Sequence, residues 1–110
     1  MNAYDQVRAR LARNLDRLGA QLTDQARDRV GDIAADPAPP GRPPHQKTGE
    51  GRESIDHRVE ASTDVLTLTV GTVAEHMLYQ ELGTAHMEPR PWLGPTFLAA
   101  RRHVLQELTK

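Results

Sequence analysis

The stretch YQELGTAHMEPRPWLGPTF, residues 79–97, differs in composition from the rest of this chain. It holds the only Trp, the only Phe, one of two Tyr residues and three of eight Pro residues in a sequence of 110 residues. Prolines restrict the backbone on both sides of Trp92. Two interpretations are open at this point. Trp92 and Phe97 anchor the last helix on the hairpin, or Trp92 and Leu93 form a rigid apolar contact for another chain.

Composition indicates one small domain, residues 1–110, with a thin core. Hydrophobic residues make up 37% and aromatic residues 4%, and there is no Cys, which excludes disulfides and thiolate metal sites. A core this lean is often supplemented by partner subunits. The net charge of −1 argues against broad electrostatic binding to nucleic acid. No apolar run approaches the ~20 residues of a membrane span, and the first residues lack a hydrophobic signal core.

The first third of the chain predicts one long helix over residues 2–34. Apolar residues recur every three or four positions from Tyr4 to Ile33, and Asn2 is a suitable N-cap. At about 1.5 Å per residue this helix extends about 45 Å, which is long for so small a domain. It either packs on its own core or lends part of its apolar stripe to a neighbouring subunit. Residues 36–53 hold five prolines and three glycines and predict a loop.

Residues 54–108 predict a β-hairpin, a short helix and a C-terminal helix, so the predicted fold class is α+β. Apolar residues alternate on both sides of a turn at 62–64. Residues 72–82 have helical spacing and stop at Gly83, and Pro95 suits the first turn of the last helix. The predicted core faces are Val73, Met77, Leu78 and Leu82 on the short helix, and Phe97, Leu98, Val104, Leu105 and Leu108 on the last one.

No residue spacing in the chain predicts a catalytic or metal site. His76 and His86 flank Glu81, but the two-His helical zinc signature is absent. The run SIDH at 54–57 contains Ser, Asp and His without the strand-to-helix elbow that exposes a nucleophilic Ser. We therefore predict no enzymatic activity and no cofactor.

The opening stretch resembles a family of small tail-component proteins of long-tailed bacteriophages. Many members close with a Tyr, then Glu-x-Gly-Thr, a short gap, and Arg-Pro-aromatic-Leu-x-Pro. The matching residues here are Tyr79, Glu81, Gly83, Thr84, Arg90, Pro91, Trp92, Leu93 and Pro95. Upstream, GRPPHQKTGEGRESI resembles the family's Pro-rich loop, with Thr48, Gly49, Ser54 and Ile55 in matching positions. The family often has Leu after the Thr-Gly pair and Phe after Arg-Pro, where this chain has Glu50-Gly51 and Trp92.

The resemblance covers residues 37–108 and implies a virion structural protein of the neck. Such proteins are described as head–tail joining, tail completion, tail terminator or minor tail proteins. The resemblance implies a ring homo-oligomer, a hexamer, through which DNA passes without sequence-specific binding. Its partners would be further copies of itself and neighbouring neck and tail-tube proteins. It would be made in the host cytoplasm and reside in the virion tail.

We assign a set of subunit-interface residues from the resemblance and from the stiffness and charge of these two segments. In this hypothesis, the basic residues of the loop reach Glu81 or Glu88 of the next subunit. The assigned residues are Arg42, His45, Lys47, Thr48, Gly49, Tyr79, Glu81, Gly83, Thr84, Arg90, Pro91 and Trp92.

Two other function classes stay open at this point. A small nucleic-acid-binding factor would need a basic face, and a metal-dependent hydrolase would need ligands at fixed spacing. The mass of the protein in solution, followed by electron microscopy, separates a ring from both.

Overall fold

The computed structural model describes residues 2–30, 50–85 and 89–110. Within them the chain has an α+β arrangement, which confirms the predicted fold class. The elements are α1 (Ala3–Arg29), α2 (Glu50–Glu53), β1 (Ile55–Ala61), β2 (Leu66–Thr72), α3 (Glu75–Leu82), α4 (Gly94–Ala100) and α5 (Val104–Leu108). Residues 31–34 of the predicted long helix and 36–49 of the predicted loop lie outside the described residues.

Helix α1 begins as the sequence predicts and ends earlier. The side-chain oxygen of Asn2 accepts a hydrogen bond from the Asp5 N–H at 2.8 Å, which caps the first turn. The last helical residue is Arg29, because Val30 is extended, with ψ 115°. Val30 keeps the helical spacing in the sequence and is buried. Packing in the core therefore fixes the position of Val30. The prediction of a helix through residue 34 is wrong for Val30, which is not helical.

The hairpin has the predicted strands and turn. β1 and β2 pair antiparallel in a two-stranded sheet, in a register that runs from Ile55 opposite Thr72 to Ala61 opposite Leu66. The inner face carries the apolar residues of both strands and packs against the helices. The predicted loop ends before Glu53, because Glu50–Glu53 form one helical turn that leads into β1.

The core consists of two small clusters. One contains Ala26, Val30, Ile55, Met77 and Trp92. The other contains Leu18, Leu22, Val70 and Ala100. Leu93, which follows Trp92 in the sequence, packs against both clusters. The opening stretch of the sequence therefore joins the two halves of the core.

The C-terminal helix is divided, which the sequence did not predict. α4 ends at Ala100 and α5 begins at Val104, and between them the His103 N–H donates to the Ala100 carbonyl at 2.9 Å. After this turn α5 lies against α1, where the Asn14 amide donates to the Leu108 carbonyl at 2.9 Å. Residues 101–103 therefore belong to neither helix.

The predicted core faces of the short helix and the last helix are mostly wrong. Met77 is buried, and Val104 and Leu108 are half-buried against the core. The small residues Thr96 and Ala100 point inward instead of the large ones. The residues predicted as core and found exposed are Val73, Leu78, Leu82, Phe97, Leu98 and Leu105.

A candidate assembly site around residues 79–97

The side chain of Glu81 holds the start of α4. One carboxylate oxygen accepts hydrogen bonds from the Trp92 N–H at 2.6 Å and the Leu93 N–H at 2.9 Å. The other accepts from the Gly94 N–H at 2.7 Å. These N–H groups have no partner inside the helix, and a negative charge at a helix N-terminus is favourable. Glu81 therefore acts as a cap supplied by α3, thirteen residues before Gly94.

Trp92 is a core residue in this chain. Its side chain is 1% exposed, and its indole N–H donates to the Met77 carbonyl at 2.8 Å. The Trp92 carbonyl in turn accepts from the Thr96 hydroxyl, which is also buried, at 2.8 Å. The first interpretation of the opening stretch is confirmed for Trp92, which anchors α4 against α1, β1 and α3. It is wrong for Phe97, which is exposed.

Gly83 and Arg90 direct the chain between α3 and α4. Gly83 has φ 75°, a conformation that favours glycine, and its N–H donates to the Tyr79 carbonyl at 2.7 Å, which closes α3. The Arg90 N–H donates to the Gln80 carbonyl at 2.6 Å, so the chain returns alongside the helix it has left. These bonds place Trp92 beside Met77.

Three of the assigned interface residues also have roles within the single chain, and their contact with another subunit stays a prediction. Glu81, Gly83 and Trp92 serve the fold of the single chain: a helix cap, a helix stop and a core anchor. In particular, both carboxylate oxygens of Glu81 are engaged within the chain, which makes Glu81 a poor acceptor for basic residues of a neighbour.

The remaining assigned residues fall into two groups. Tyr79 and Thr84 are exposed, and Arg90 and Pro91 are half-buried, so their contact with another subunit stays a prediction. Arg42, His45, Lys47, Thr48 and Gly49 lie outside the described residues, as do His86 and Glu88.

A polar cluster that the sequence did not reveal ties α1 to β1. The His57 ring contacts the Asp16 carboxylate through Nε2 at 2.9 Å, and its Nδ1 lies 3.4 Å from the Thr23 hydroxyl. Gly19 permits this packing, since a Cβ there would lie 2.4 Å from the His57 ring. A glycine in the middle of a predicted helix was the available sequence signal for this close approach.

This cluster does not form a nucleophile site. Thr23 is 4% exposed, so a substrate cannot reach its hydroxyl. Ser54, the other hydroxyl considered, is 2.5 Å from the Thr72 hydroxyl rather than bonded to His57. In residues 2–30, 50–85 and 89–110, no group of three or more His, Asp or Glu side chains is placed to hold a metal ion.

Large apolar side chains lie on the surface at several places in the fold. Leu78 and Leu82 are four residues apart on α3 and share one face. Phe97 and Leu98 are exposed on α4, and Tyr4 and Val7 are exposed at the start of α1. The N-terminal end of the apolar stripe of α1 is therefore exposed. This is the stripe for which the sequence left open a contact with a neighbouring subunit.

Comparison of the chain with protein-family models, with curated protein sequences and with solved structures gave no match. The likeness to phage tail components therefore rests on the residues quoted above. None of the helices in the part of the chain that the structure describes combines the length and apolar character needed to cross a membrane.

Proposed function

We propose that this chain is a structural subunit of the neck of a long-tailed bacteriophage, where copies of it form a ring that joins or completes the tail. The observation that carries the proposal is the set of large apolar side chains exposed on α3 and α4 of a chain with a small core. Burial of such side chains against further copies contributes stability that the single subunit lacks. In this proposal the protein resides in the virion.

The shape of the subunit supports an assembly role. The Cα radius of gyration is 16.3 Å, against about 13 Å for a compact domain of this length. The principal extents are 56, 23 and 23 Å. An elongated subunit has a large surface for its mass, so it can contact neighbours on two sides. A ring needs such a heterologous contact, in which different patches of adjacent subunits meet.

Nucleic-acid binding, the open alternative, receives less support. Arg52 and Arg58 lie beside the carboxylates of Asp28 and Glu60, at 3.4 and 2.7 Å. Arg10 donates to the carbonyl of the C-terminal residue at 2.7 Å. Cations with partners of this kind contribute less to a phosphate-binding face.

The proposal is tested by measuring the mass of the purified chain at increasing concentration, with electron microscopy of the same samples. We expect closed rings of identical subunits. Leu82→Glu places a charge on the exposed apolar face of α3 and should prevent ring formation without unfolding the subunit. Gln106→Glu, which adds the same charge at an exposed polar position of α5, is the matched control and should assemble.

Two outcomes contradict the proposal. One is a wild-type chain that forms no ring at any concentration, alone or with neighbouring neck proteins. The other is hydrolysis of nucleic acid or peptide substrates that depends on the metal ion supplied and is lost in a His76→Ala variant.

A further inference from the structure

The backbone of the hairpin determines which polar groups face its two open edges. The Ser62 N–H donates to the Val65 carbonyl at 2.9 Å, and this pair continues the register of the strands. Hydrogen-bonded and non-hydrogen-bonded pairs alternate in an antiparallel ladder. The N–H and C=O groups that point away from β1 therefore belong to Leu66, Leu68, Val70 and Thr72.

The open edge of β1 is protected by side chains. The Arg27 guanidinium donates to the Ile55 carbonyl at 2.7 Å, and the His57 N–H donates to the Asp56 carboxylate at 2.8 Å. The outer face of this strand also carries Asp56, Arg58 and Glu60. Charged side chains on an edge strand are a common defence against pairing with another chain.

Within residues 2–30, 50–85 and 89–110, the open edge of β2 lacks such protection. Its sequence, LTLTVGT, has no charged residue and no Pro. Among the described residues, none donates to or accepts from its outward-facing backbone groups. The polar side chains of α1 contact β1 and the turn instead, as in the bonds of Arg27 to Ile55 and of Tyr4 to Thr63. An edge of this kind is a template for a further strand.

Two exposed valines flank β2 symmetrically. Val65 is 57% exposed immediately before the strand, and Val73 is 98% exposed immediately after it. Both are an even number of residues from Thr69, the middle residue of the strand, so all three belong to the outer side of the hairpin. A two-fold axis through Thr69 would bring each Val65 opposite a Val73.

We propose that β2 is a self-association edge that pairs antiparallel with β2 of a second copy, about a two-fold axis at Thr69. The two hairpins then form one four-stranded sheet. The outward backbone groups of the four edge residues would form about eight hydrogen bonds. The pairs across the axis are Leu66 with Thr72, Leu68 with Val70, Thr67 with Gly71, Thr69 with Thr69 and Val65 with Val73.

Chemistry favours this register and this partner. It gives the longest overlap of the two strands and covers both exposed valines, and because β2 has no charged residue, no like charges oppose each other. Pairing of two β1 edges about Arg58 would instead place Arg58 opposite Arg58 and Asp56 opposite Glu60, and like charges directly opposite destabilise a sheet. The β2 contact does not rest on the proposed ring, because a two-fold contact closes on itself whereas a ring contact is heterologous.

Single cysteines test the register, since the natural chain has none. In the proposed pair the two Thr69 Cα atoms lie about 4.5 Å apart, within the range that a disulfide spans. Thr67 residues of the two copies would lie about 14 Å apart. Under mild oxidation we expect Thr69→Cys to form disulfide-linked dimers and Thr67→Cys, on the same face of the same strand, to stay unlinked. A mixture of Val65→Cys and Val73→Cys chains should also cross-link.

Charge substitutions test the two-fold axis in solution by sedimentation. Thr69→Lys and Thr69→Glu should each weaken dimerisation several-fold, because like charges then face each other, and mixing the two variants should restore it. Glu60→Lys, an exposed change on the outer face of β1, should leave dimerisation unchanged.

The inference is overturned if the wild-type chain sediments as a monomer at every concentration, or if Thr67→Cys cross-links as fast as Thr69→Cys. Equal dimerisation of wild type, Thr69→Lys and Thr69→Glu would also overturn it. A chain that forms this dimer and never a ring refutes the proposed function alone. Rings that assemble from a chain in which Thr69→Cys forms no disulfide-linked dimer at any concentration refute this inference alone.

Discussion

Replacement of Glu81 by Ala should lower the free energy of unfolding by about 3 kcal/mol. The change removes the acceptor of three backbone N–H groups, at 2.6, 2.9 and 2.7 Å. Hydrogen bonds to a charged group contribute about 1.5–3 kcal/mol each, which gives roughly 6 kcal/mol for three bonds added without discount. The side chain is half-buried, so water reaches part of the site and replaces some of the lost bonding. We therefore expect about half of that sum.

Two further variants calibrate this value. Glu81→Gln keeps the shape and one carbonyl acceptor, but its NH₂ group cannot accept the bond at the other position. We expect about half the loss seen with Ala. Glu60→Ala is the matched control, because Glu60 bonds to Arg58 at 2.7 Å on an exposed face. Exposed ion pairs contribute about 0–1 kcal/mol.

Urea unfolding followed by tryptophan fluorescence measures these changes. Trp92 is the only Trp and lies next to the altered cap, so its emission reports on the core, while circular dichroism reports on the helices. Unfolding free energies of Glu81→Ala and Glu60→Ala that agree within about 0.5 kcal/mol would contradict the capping role of Glu81. If Glu81→Ala then folds normally and fails to assemble, the interface role assigned from the sequence is the correct one.

Trp92→Ala should cost about 3–5 kcal/mol by leaving a large cavity, measured by urea unfolding followed by circular dichroism. Gly19→Ala should lower the free energy of unfolding despite the better helix propensity of Ala, since the new Cβ would lie 2.4 Å from the His57 ring. Gly71→Ala, with nothing within 4 Å of its Cβ, is the control and should change stability little. The hydrogen bond from Lys110 lowers the pKa of Glu107 below its ordinary range. The stability that Glu107 contributes relative to Glu107→Gln should therefore be present at neutral pH and disappear as the pH falls through that lowered pKa. A difference that grows on acidification contradicts this.

The sequence predicted the elements whose signals are local. The start of α1 depends on the capping hydrogen bond between Asn2 and Asp5, three residues apart. The hairpin depends on the alternation of apolar and polar residues within two seven-residue strands. The end of α3 depends on the one described glycine with positive φ, Gly83. In each case the interacting atoms lie within a few residues, so the amino-acid pattern contains the whole cause.

Tertiary contacts decided which apolar helix faces are buried, which periodicity alone cannot predict. Leu82 and Leu98 lie on apolar faces with helical spacing, yet both are exposed. Periodicity reports which side chains share a face, but the neighbouring elements decide whether anything covers that face. The same limit explains the break between Ala100 and Val104, after which α5 lies against α1.

The candidate site shows the same division. The sequence singled out the residues of the stretch 79–97 but did not predict their roles. Glu81 accepts a hydrogen bond from the Gly94 N–H, thirteen residues away, and no local pattern predicts such a contact. The link of His57 to Asp16 crosses forty-one residues. Composition also identified a thin core. Among the described residues, only the three-dimensional arrangement distinguishes the edge of β1, where Arg27 bonds to the Ile55 carbonyl, from the edge of β2. The two partners of that bond lie twenty-eight residues apart, so no local pattern in the sequence contains it.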